Sequence, residues 1–319
     1  MSRAFVFPGQ GAQAIGMGRD LAEASPAARA VFQAVDDALG EDLSGLTWSG
    51  DPEVLQLTRN AQPALMATSI ATLRALEARG VSVATHAAHV AGHSLGEYSA
   101  LVAAGALDLA DAARLLRIRG EAMQSAVPVG DGAMAALLGL DLNTARAVAE
   151  EAAQGEVCEA ANDNDPSQVV LSGHKAAVER AVDLAKERGA KRAVLLPVSA
   201  PFHCSLMEPA ARAIAQALDD VEIATPSVPV VTNVNAMPTT DPTAIRALLV
   251  DQITGAVRWR ESVARMAADG VTEIWEIGAG KALSGMIRRI DRSVATRAIG
   301  TPDQVEEASA SLEEGSADV

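Results

Sequence analysis

The stretch Ala91-Gly92-His93-Ser94-Leu95-Gly96-Glu97-Tyr98 sets a serine at a sharp bend between two apolar segments. Ahead of it, Ala87 to Ala91 read as a short buried strand. Behind it, Glu97 to Leu107 read as a helix, with Ala100, Leu101, Ala103, Ala104 and Leu107 along it. Gly92 and Gly96 allow the tight turn and let the helix lie close against the strand, so the Ser94 hydroxyl stands clear above a sheet. This is the context of a nucleophile elbow. Gly-x-Ser-x-Gly by itself arises by chance in on the order of one in ten chains of this length, so the flanking strand and helix carry the reading.

At 319 residues and 49% hydrophobic content the chain has room for one large domain and a smaller one. From about Gly132 it reads as strand (Ala133 to Leu138), helix (Leu142 to Ala153), a strand pair (Val157 to Asn162 and Gln168 to Leu171), helix (Lys175 to Arg188) and strand (Ala193 to Val198). That βαββαβ order puts two helices on one face of a four-stranded antiparallel sheet, the ferredoxin-like arrangement. The flanks alternate helices with short apolar strands such as Val228 to Thr232 and Glu273 to Ile277, as a mostly parallel α/β sheet does. The expected division is a large α/β domain over residues 1–128 and 200–302, with a ferredoxin-like small domain inserted at 129–199. The cleft between them is the natural site. Residues 303–319, with Glu306, Glu307, Glu313, Glu314 and Asp318 and no aromatic, read as an acidic flexible tail.

Composition excludes several classes. A net charge of −15 and a pI near 4.8 argue against nucleic acid or an anionic membrane as partner. No apolar run reaches transmembrane length, and Met1-Ser2-Arg3 leads straight into a strand, so a cytoplasmic location is expected. Cys158 and Cys204 are too few for a disulfide framework, and no Cys/His spacing has the form of a zinc site. His86, His89 and His93 would share a metal face on a helix, but they fall on a strand and its turn. Gly11, Gly16 and Gly18 lack the spacing and the acidic residue of a dinucleotide loop. Neither a metal nor a cofactor is expected.

A serine hydroxyl attacks at neutral pH only if a base removes its proton, and His203 is the best candidate. A lone histidine beside Pro201 and Phe202 is more often structural, so the residues alone leave it open. Asp163, Asp165 and Asp183 follow Ser94 in the hydrolase order but fall in or near the inserted segment. The elbow rule makes the backbone N–H of Leu95 one oxyanion donor. Arg119 can pair both oxygens of a carboxylate, or it is an ordinary charge on a helix that already carries Arg114 and Arg117. His93 is expected to pack beside the nucleophile. Asn162 and Asn164, before Asp165-Pro166, read as turn residues of the strand pair.

The N-terminus runs Ala4-Phe5-Val6-Phe7 into Pro8-Gly9-Gln10-Gly11-Ala12-Gln13, a glycine-rich turn that can aim N–H groups at an anion, before a helix near Met17. Together with the Gly-His-Ser-Leu-Gly elbow, this opening closely resembles the malonyl-CoA:acyl carrier protein transacylases of fatty acid and polyketide synthesis. Three further segments match that family: Ile118-Arg119-Gly120 with Met123-Gln124 and Val127-Pro128, Ser199-Ala200-Pro201-Phe202-His203, and Gln252 followed by Val257-Arg258-Trp259. The resemblance runs from about Phe5 to about Ile290.

It implies an α/β-hydrolase-like large domain with an inserted ferredoxin-like small one. It also implies a Ser94–His203 dyad in which a main-chain carbonyl near Gln252 holds the imidazole. Gln10 would supply the second oxyanion N–H, and Arg119 would select a malonyl group. Phe202 matches the aromatic of malonyl-selecting members, which leans against methylmalonyl, and the asparagines would face the cleft. The implied partners are malonyl-CoA and an acyl carrier protein. Carrier proteins of that family are acidic, so docking would need a local basic patch such as Lys281, Arg288, Arg289 and Arg292, or Lys191-Arg192. The alternative is a serine hydrolase, a thioesterase or carboxylesterase, against which Arg119 and the glutamine turn discriminate. A non-catalytic carrier-docking subunit is disfavoured by the joint presence of Ser94, His203 and Arg119.

Overall fold

The segment Arg3–Phe7 is apolar from its second residue onward because the strand it forms is covered on both faces. Ala4 and Val6 enter one hydrophobic cluster with Trp259, Val263, Ile274 and Leu283, while Phe5 and Phe7 enter another with Leu65, Trp275 and Ile277. Two-faced burial is what a parallel sheet with helices on both sides requires. The computed structural model of the chain describes residues 2–198 and 200–317, with side chains through 312. Ser199 of the segment before His203 therefore lies outside the described residues.

In chain order the strands are β1 (Arg3–Phe7), β2 (His89–Gly92), β3 (Gly132–Leu138), β4 (Cys158–Asp165), β5 (Gln168–His174), β6 (Arg192–Leu195), β7 (Val230–Val231), β8 (Pro238–Thr239), β9 (Glu273–Ile277) and β10 (Ala295–Ile299). The larger sheet has the order β10-β9-β1-β2-β7-β8, parallel throughout except for the β7–β8 pair. The second sheet, β4-β5-β3-β6, is antiparallel at every pairing and has its own core of Ala135, Leu137, Val148, Leu171, Val178 and Ala181. The chain thus has a mixed α/β fold with a mainly parallel sheet and a separate antiparallel one.

β4 ties the antiparallel sheet to the segment at Val257 and the helix that follows it. The Asp163 N–H donates to the Val257 carbonyl and the Val257 N–H to the Ala161 carbonyl, both at 2.9 Å. Two buried carboxylates add to this: Asp163 pairs with Arg260 at 2.8 Å and Asp165 with Arg289 at 2.7 Å. Buried acids of this kind hold their place because each has a guanidinium partner.

Some elements differ from the sequence reading. Asn162 and Asn164 are not in the turn but within β4, which runs to Asp165 with register shifts on either side of Asn162 and Asp163. The helix after the elbow stops at Ala103, because Gly105 takes a positive φ of 71° and a second helix starts at Leu109. Residues after 302 begin as a helix, Pro302–Ala317, rather than a loose tail, since Val305 and Ala308 fall on one face and are buried. Residues 318 and 319 lie outside the described residues.

Helix Leu109–Ser125 packs against helices Pro26–Leu39, Thr58–Glu77 and Glu208–Asp219. It can approach the second of these closely because Gly120 has no Cβ; one placed there would lie 2.5 Å from Arg59 Cα and 2.8 Å from the Thr58 carbonyl oxygen. Gly120→Ala should therefore push the two helices apart and cost about 1–2 kcal/mol, the overpacking strain outweighing the gain in helix propensity. Thermal denaturation checks this: a fall of a few degrees in Tm is expected, and an unchanged Tm would contradict the close approach.

Candidate active site

β2 ends at Gly92, helix Gly96–Ala103 begins four positions on, and Ser94 between them has a φ of 53°. A non-glycine residue in the left-handed region is held there only by its surroundings. The Ser94 N–H donates to Asn233 Oδ1 at 2.7 Å, and the Ser94 carbonyl accepts from Gln252 Nε2 at 3.0 Å. The glycines matter for space. A Cβ at Gly92 would lie 1.9 Å from the Gly96 carbonyl carbon, and one at Gly96 would lie 2.2 Å from the Phe7 carbonyl oxygen. The same tightness brings in the N-terminal turn, where a Cβ at Gly9 would lie 2.5 Å from the His93 carbonyl oxygen. Gln10 and Leu95 thus come from two segments pressed together. Gln10 Oε1 accepts from the Thr58 hydroxyl at 2.8 Å, and Leu95 is buried.

Ser94 Oγ lies 2.7 Å from His203 Nε2. The other ring nitrogen, Nδ1, is 2.9 Å from the main-chain carbonyl of Gln252. A carbonyl can only accept, so Nδ1 carries the proton and Nε2 presents its lone pair to the serine. That carbonyl is available because Gln252 is in the last turn of helix Pro242–Thr254, where carbonyls have no intrahelical partner. Burial pushes the imidazole down to about 3, helped by the Arg119 charge, against the hydrogen bond to Gln252. The ring is therefore neutral, the form that can take a proton.

Arg119 is 1% exposed. Its Nη1 donates to Gln62 Oε1 at 2.7 Å, and its Nη2 to Gln252 Oε1 at 2.8 Å and to Ser94 Oγ at 3.1 Å. The guanidinium also lies 5.7 Å from the centre of the Tyr98 ring. All three hydrogen-bond acceptors are neutral, and no carboxylate pairs with Arg119 among the described residues. The contrast with Arg117 is direct: that side chain is paired to Glu41 at 2.7 Å and to Asn60 at 2.6 Å. A buried cation without a directly paired carboxylate is costly, and burial accordingly lowers the Arg119 pKa. The site can repay this by receiving an anion next to the serine.

The remaining candidates are placed as follows. His93 Nε2 lies 2.8 Å from Asn164 Oδ1, with its ring tilted against Trp259, so this histidine joins the elbow to β4. Phe202 is buried in the main core. Asp163 and Asp165 serve Arg260 and Arg289, and Asp183 bonds Lys186, so none of them reaches His203. His86 bonds within its own turn at Ser82, and His89 faces Asp269 at 3.3 Å. Lys281, Arg288, Arg289 and Arg292 are exposed, but Arg289 is engaged by Asp165 and Arg288 by Thr296. No helix among the described residues is long and apolar enough to cross a membrane.

Sequence reasoning missed three residues that the structure brings here: Gln62, Asn233 and Glu97. Glu97 offered a signal, since it is the one charge in a helix otherwise made of small and apolar residues. Asn233 and Gln62 offered none, because each acts through a neighbour distant in sequence.

The chain matches the acyl transferase domain family over residues 4–309. It is 47% identical to the malonyl CoA-acyl carrier protein transacylase of Bacillus subtilis, covering 98% of this chain and 97% of that protein. It is 48% identical to the Escherichia coli K12 transacylase of the same name, covering 94% and 96%. The chain belongs to this acyl transferase family. Among solved structures, acyl-carrier-protein-S-malonyltransferase from Bartonella henselae superposes with a TM-score of 0.96 at 53% identity, over 98% of this chain and all of that one. A malonyl-transacylase solved in complex with its type II polyketide acyl carrier protein superposes with a TM-score of 0.94 at 43% identity, over 98% of this chain and 100% of that one.

With His203 held neutral, the reaction of Ser94 with a serine-directed acylating probe should not slow between about pH 8 and pH 5.5, because the second-order rate reports the free enzyme's base. His203→Ala should slow it on the order of a hundredfold or more. An acid limb near pH 6.5, or an unaffected His203→Ala variant, would contradict the assignment of the base.

Proposed function

We propose that this chain is a malonyl-CoA:acyl carrier protein S-malonyltransferase that works through a malonyl-serine ester at Ser94. The observation that carries the malonyl specificity is Arg119, a buried guanidinium 3.1 Å from the serine oxygen with no carboxylate partner among the described residues. The large domain, residues 1–128 and 200–302, is read as α/β-hydrolase-like, and the insertion at 129–199 as ferredoxin-like, for which the β4-β5-β3-β6 order is the support. The location proposed is the cytoplasm.

In the first step Ser94 Oγ attacks the thioester carbonyl while His203 Nε2 takes its proton. The carbonyl oxygen becomes an oxyanion, for which the backbone N–H groups of Leu95 and Gln10 are the proposed donors. Arg119 pairs the distal carboxylate and fixes the acyl group for attack. Collapse breaks the C–S bond, and coenzyme A leaves as the thiol with the proton from His203. In the second step the phosphopantetheine thiol of the carrier protein gives its proton to His203 and attacks the ester. Ser94 then leaves with that proton restored to its oxygen. Phe202 is assigned to the wall that disfavours a branched acyl group, and His93 to holding the elbow against β4. Release of coenzyme A in excess with carrier protein, and only slow release without it, separates this transfer from hydrolysis by a thioesterase.

Arg119→Ala removes the carboxylate's partner in a largely desolvated site, a loss of roughly 2–5 kcal/mol for malonyl. Acetyl has no carboxylate to lose. The malonyl-to-acetyl ratio of kcat/KM should therefore fall by well over tenfold, and Arg119→Lys should restore only part of it, since an ammonium cannot form two parallel bonds. Equal slowing of both substrates would contradict the role.

A further inference from the structure

Glu97 stands in the first turn of the helix behind the nucleophile, and it is 1% exposed. Its Oε2 accepts two hydrogen bonds, from the Asn233 main-chain N–H at 2.9 Å and from Gln252 Nε2 at 2.9 Å. Its Oε1 is buried with no hydrogen-bond partner among the described residues. Two donors on one oxygen and none on the other solvate a full negative charge poorly. The charge it can answer lies across Gln252. Arg119 Nη2 donates to Gln252 Oε1, and Gln252 Nε2 donates to Glu97 Oε2, so a single amide sits between guanidinium and carboxyl with its dipole matched to both.

We propose that Glu97 is the counter-charge of Arg119 and a positioning residue of the site, and that it takes up a proton from solvent when a malonyl carboxylate occupies the guanidinium. The proposal rests on the malonyl reading. Before malonyl arrives, guanidinium and carboxylate offset one another through the Gln252 amide. Malonyl brings a second negative charge to the same cation in a place shielded from water, where one guanidinium cannot balance two carboxylates. Glu97 cannot leave, so it becomes a neutral acid. The proton adds to Oε1, turning the carboxylate into a carboxylic acid, while Oε2 keeps its two donors.

The titratable groups facing Glu97 are Arg119 from helix Leu109–Ser125 and Tyr98 from its own helix. The segment after β7 and helix Pro242–Thr254 present Asn233 and Gln252, which do not titrate. Burial already pushes the Glu97 carboxyl up to about 7, against the hydrogen bonds from Gln252 and Asn233 and the attraction of Arg119. A modest further push fills it near neutrality. His203, held down to about 3, takes no proton in this range. Below about pH 7 the acid is already formed and malonyl binding draws no proton. Above it the proton must come with the ligand, so malonyl-CoA affinity falls by up to about tenfold per pH unit.

The test uses full-length Ser94→Ala protein, which binds malonyl-CoA without consuming it, titrated calorimetrically near pH 7.5 in buffers of different ionisation enthalpy. The expected result is uptake of roughly half a proton or more per malonyl-CoA, and none with acetyl-CoA, which shares the coenzyme and lacks the carboxylate. Adding Glu97→Gln, whose amide oxygen can still accept from both donors, should abolish the uptake. In protein with Ser94 intact, the same Glu97→Gln change should flatten the rise of the malonyl-CoA KM above pH 7. Malonyl binding without uptake in the Ser94→Ala protein, or uptake that persists with Glu97→Gln, would overturn the proposal; the first of these decides even if the Glu97 variant does not fold. Binding of acetyl-CoA but not malonyl-CoA would overturn the malonyl reading itself, and the proposal with it.

Discussion

The main-chain carbonyl of Gln252 accepts from His203 Nδ1, while the side-chain amide of the same residue accepts from Arg119 and donates to Glu97 and to the Ser94 carbonyl. His203, Arg119, Ser94 and Glu97 are thus all held by one residue. It is fixed because it ends a helix: the last-turn carbonyl has no partner of its own, and Ile245, Leu249 and Ile253 bury the face that anchors the helix. The same helix end also carries the negative pole of the macrodipole, which would favour the imidazolium formed in the proposed attack by Ser94. A third charged residue to orient the imidazole is not required by this geometry.

The opposition between burial and charge runs through the rest of the site. Arg119 and Glu97 are both enclosed, and each is held by neutral amides in preference to a direct ion pair. Direct pairing would satisfy both charges and leave nothing to recognise a substrate carboxylate. The separation by Gln252 keeps the guanidinium open to an anion. Elsewhere the chain settles buried charge the ordinary way, with Asp163 on Arg260, Asp165 on Arg289 and Arg117 on Glu41. The pairs of Asp163 and Asp165 also fix β4 against helices Trp259–Ala268 and Ala282–Ile290, and through Asn164 and His93 that anchoring reaches the elbow.

The parts of this arrangement legible in the sequence are those written in local pattern. The strand at Glu273 to Ile277 has the bounds its apolar run suggests, and the βαββαβ order from Gly132 to Leu195 follows from its periodicity. Strand ends were less legible, because pairing and not composition sets them. β7 is only Val230–Val231, the two residues that meet Val90 and Ala91 of β2. Asn162 and Asn164 have the composition of a turn, but β4 bulges and keeps them in the strand, where a tertiary partner, His93, takes up Asn164. The acidic composition after residue 302 hid a one-sided apolar stripe. Within the site, the elbow is a local motif, whereas Asn233 and Gln62 act across the fold and leave no pattern in the chain.

The proposed transfer requires a covalent malonyl ester on Ser94. Intact mass of the full-length protein after mixing with malonyl-CoA, followed by peptide mapping, tests it directly. One malonyl group per chain on the peptide that carries Ser94, discharged when carrier protein is added and not formed by Ser94→Ala, is the predicted result. A malonyl label that persists on the Ser94→Ala protein, or that maps to another residue, would contradict the account.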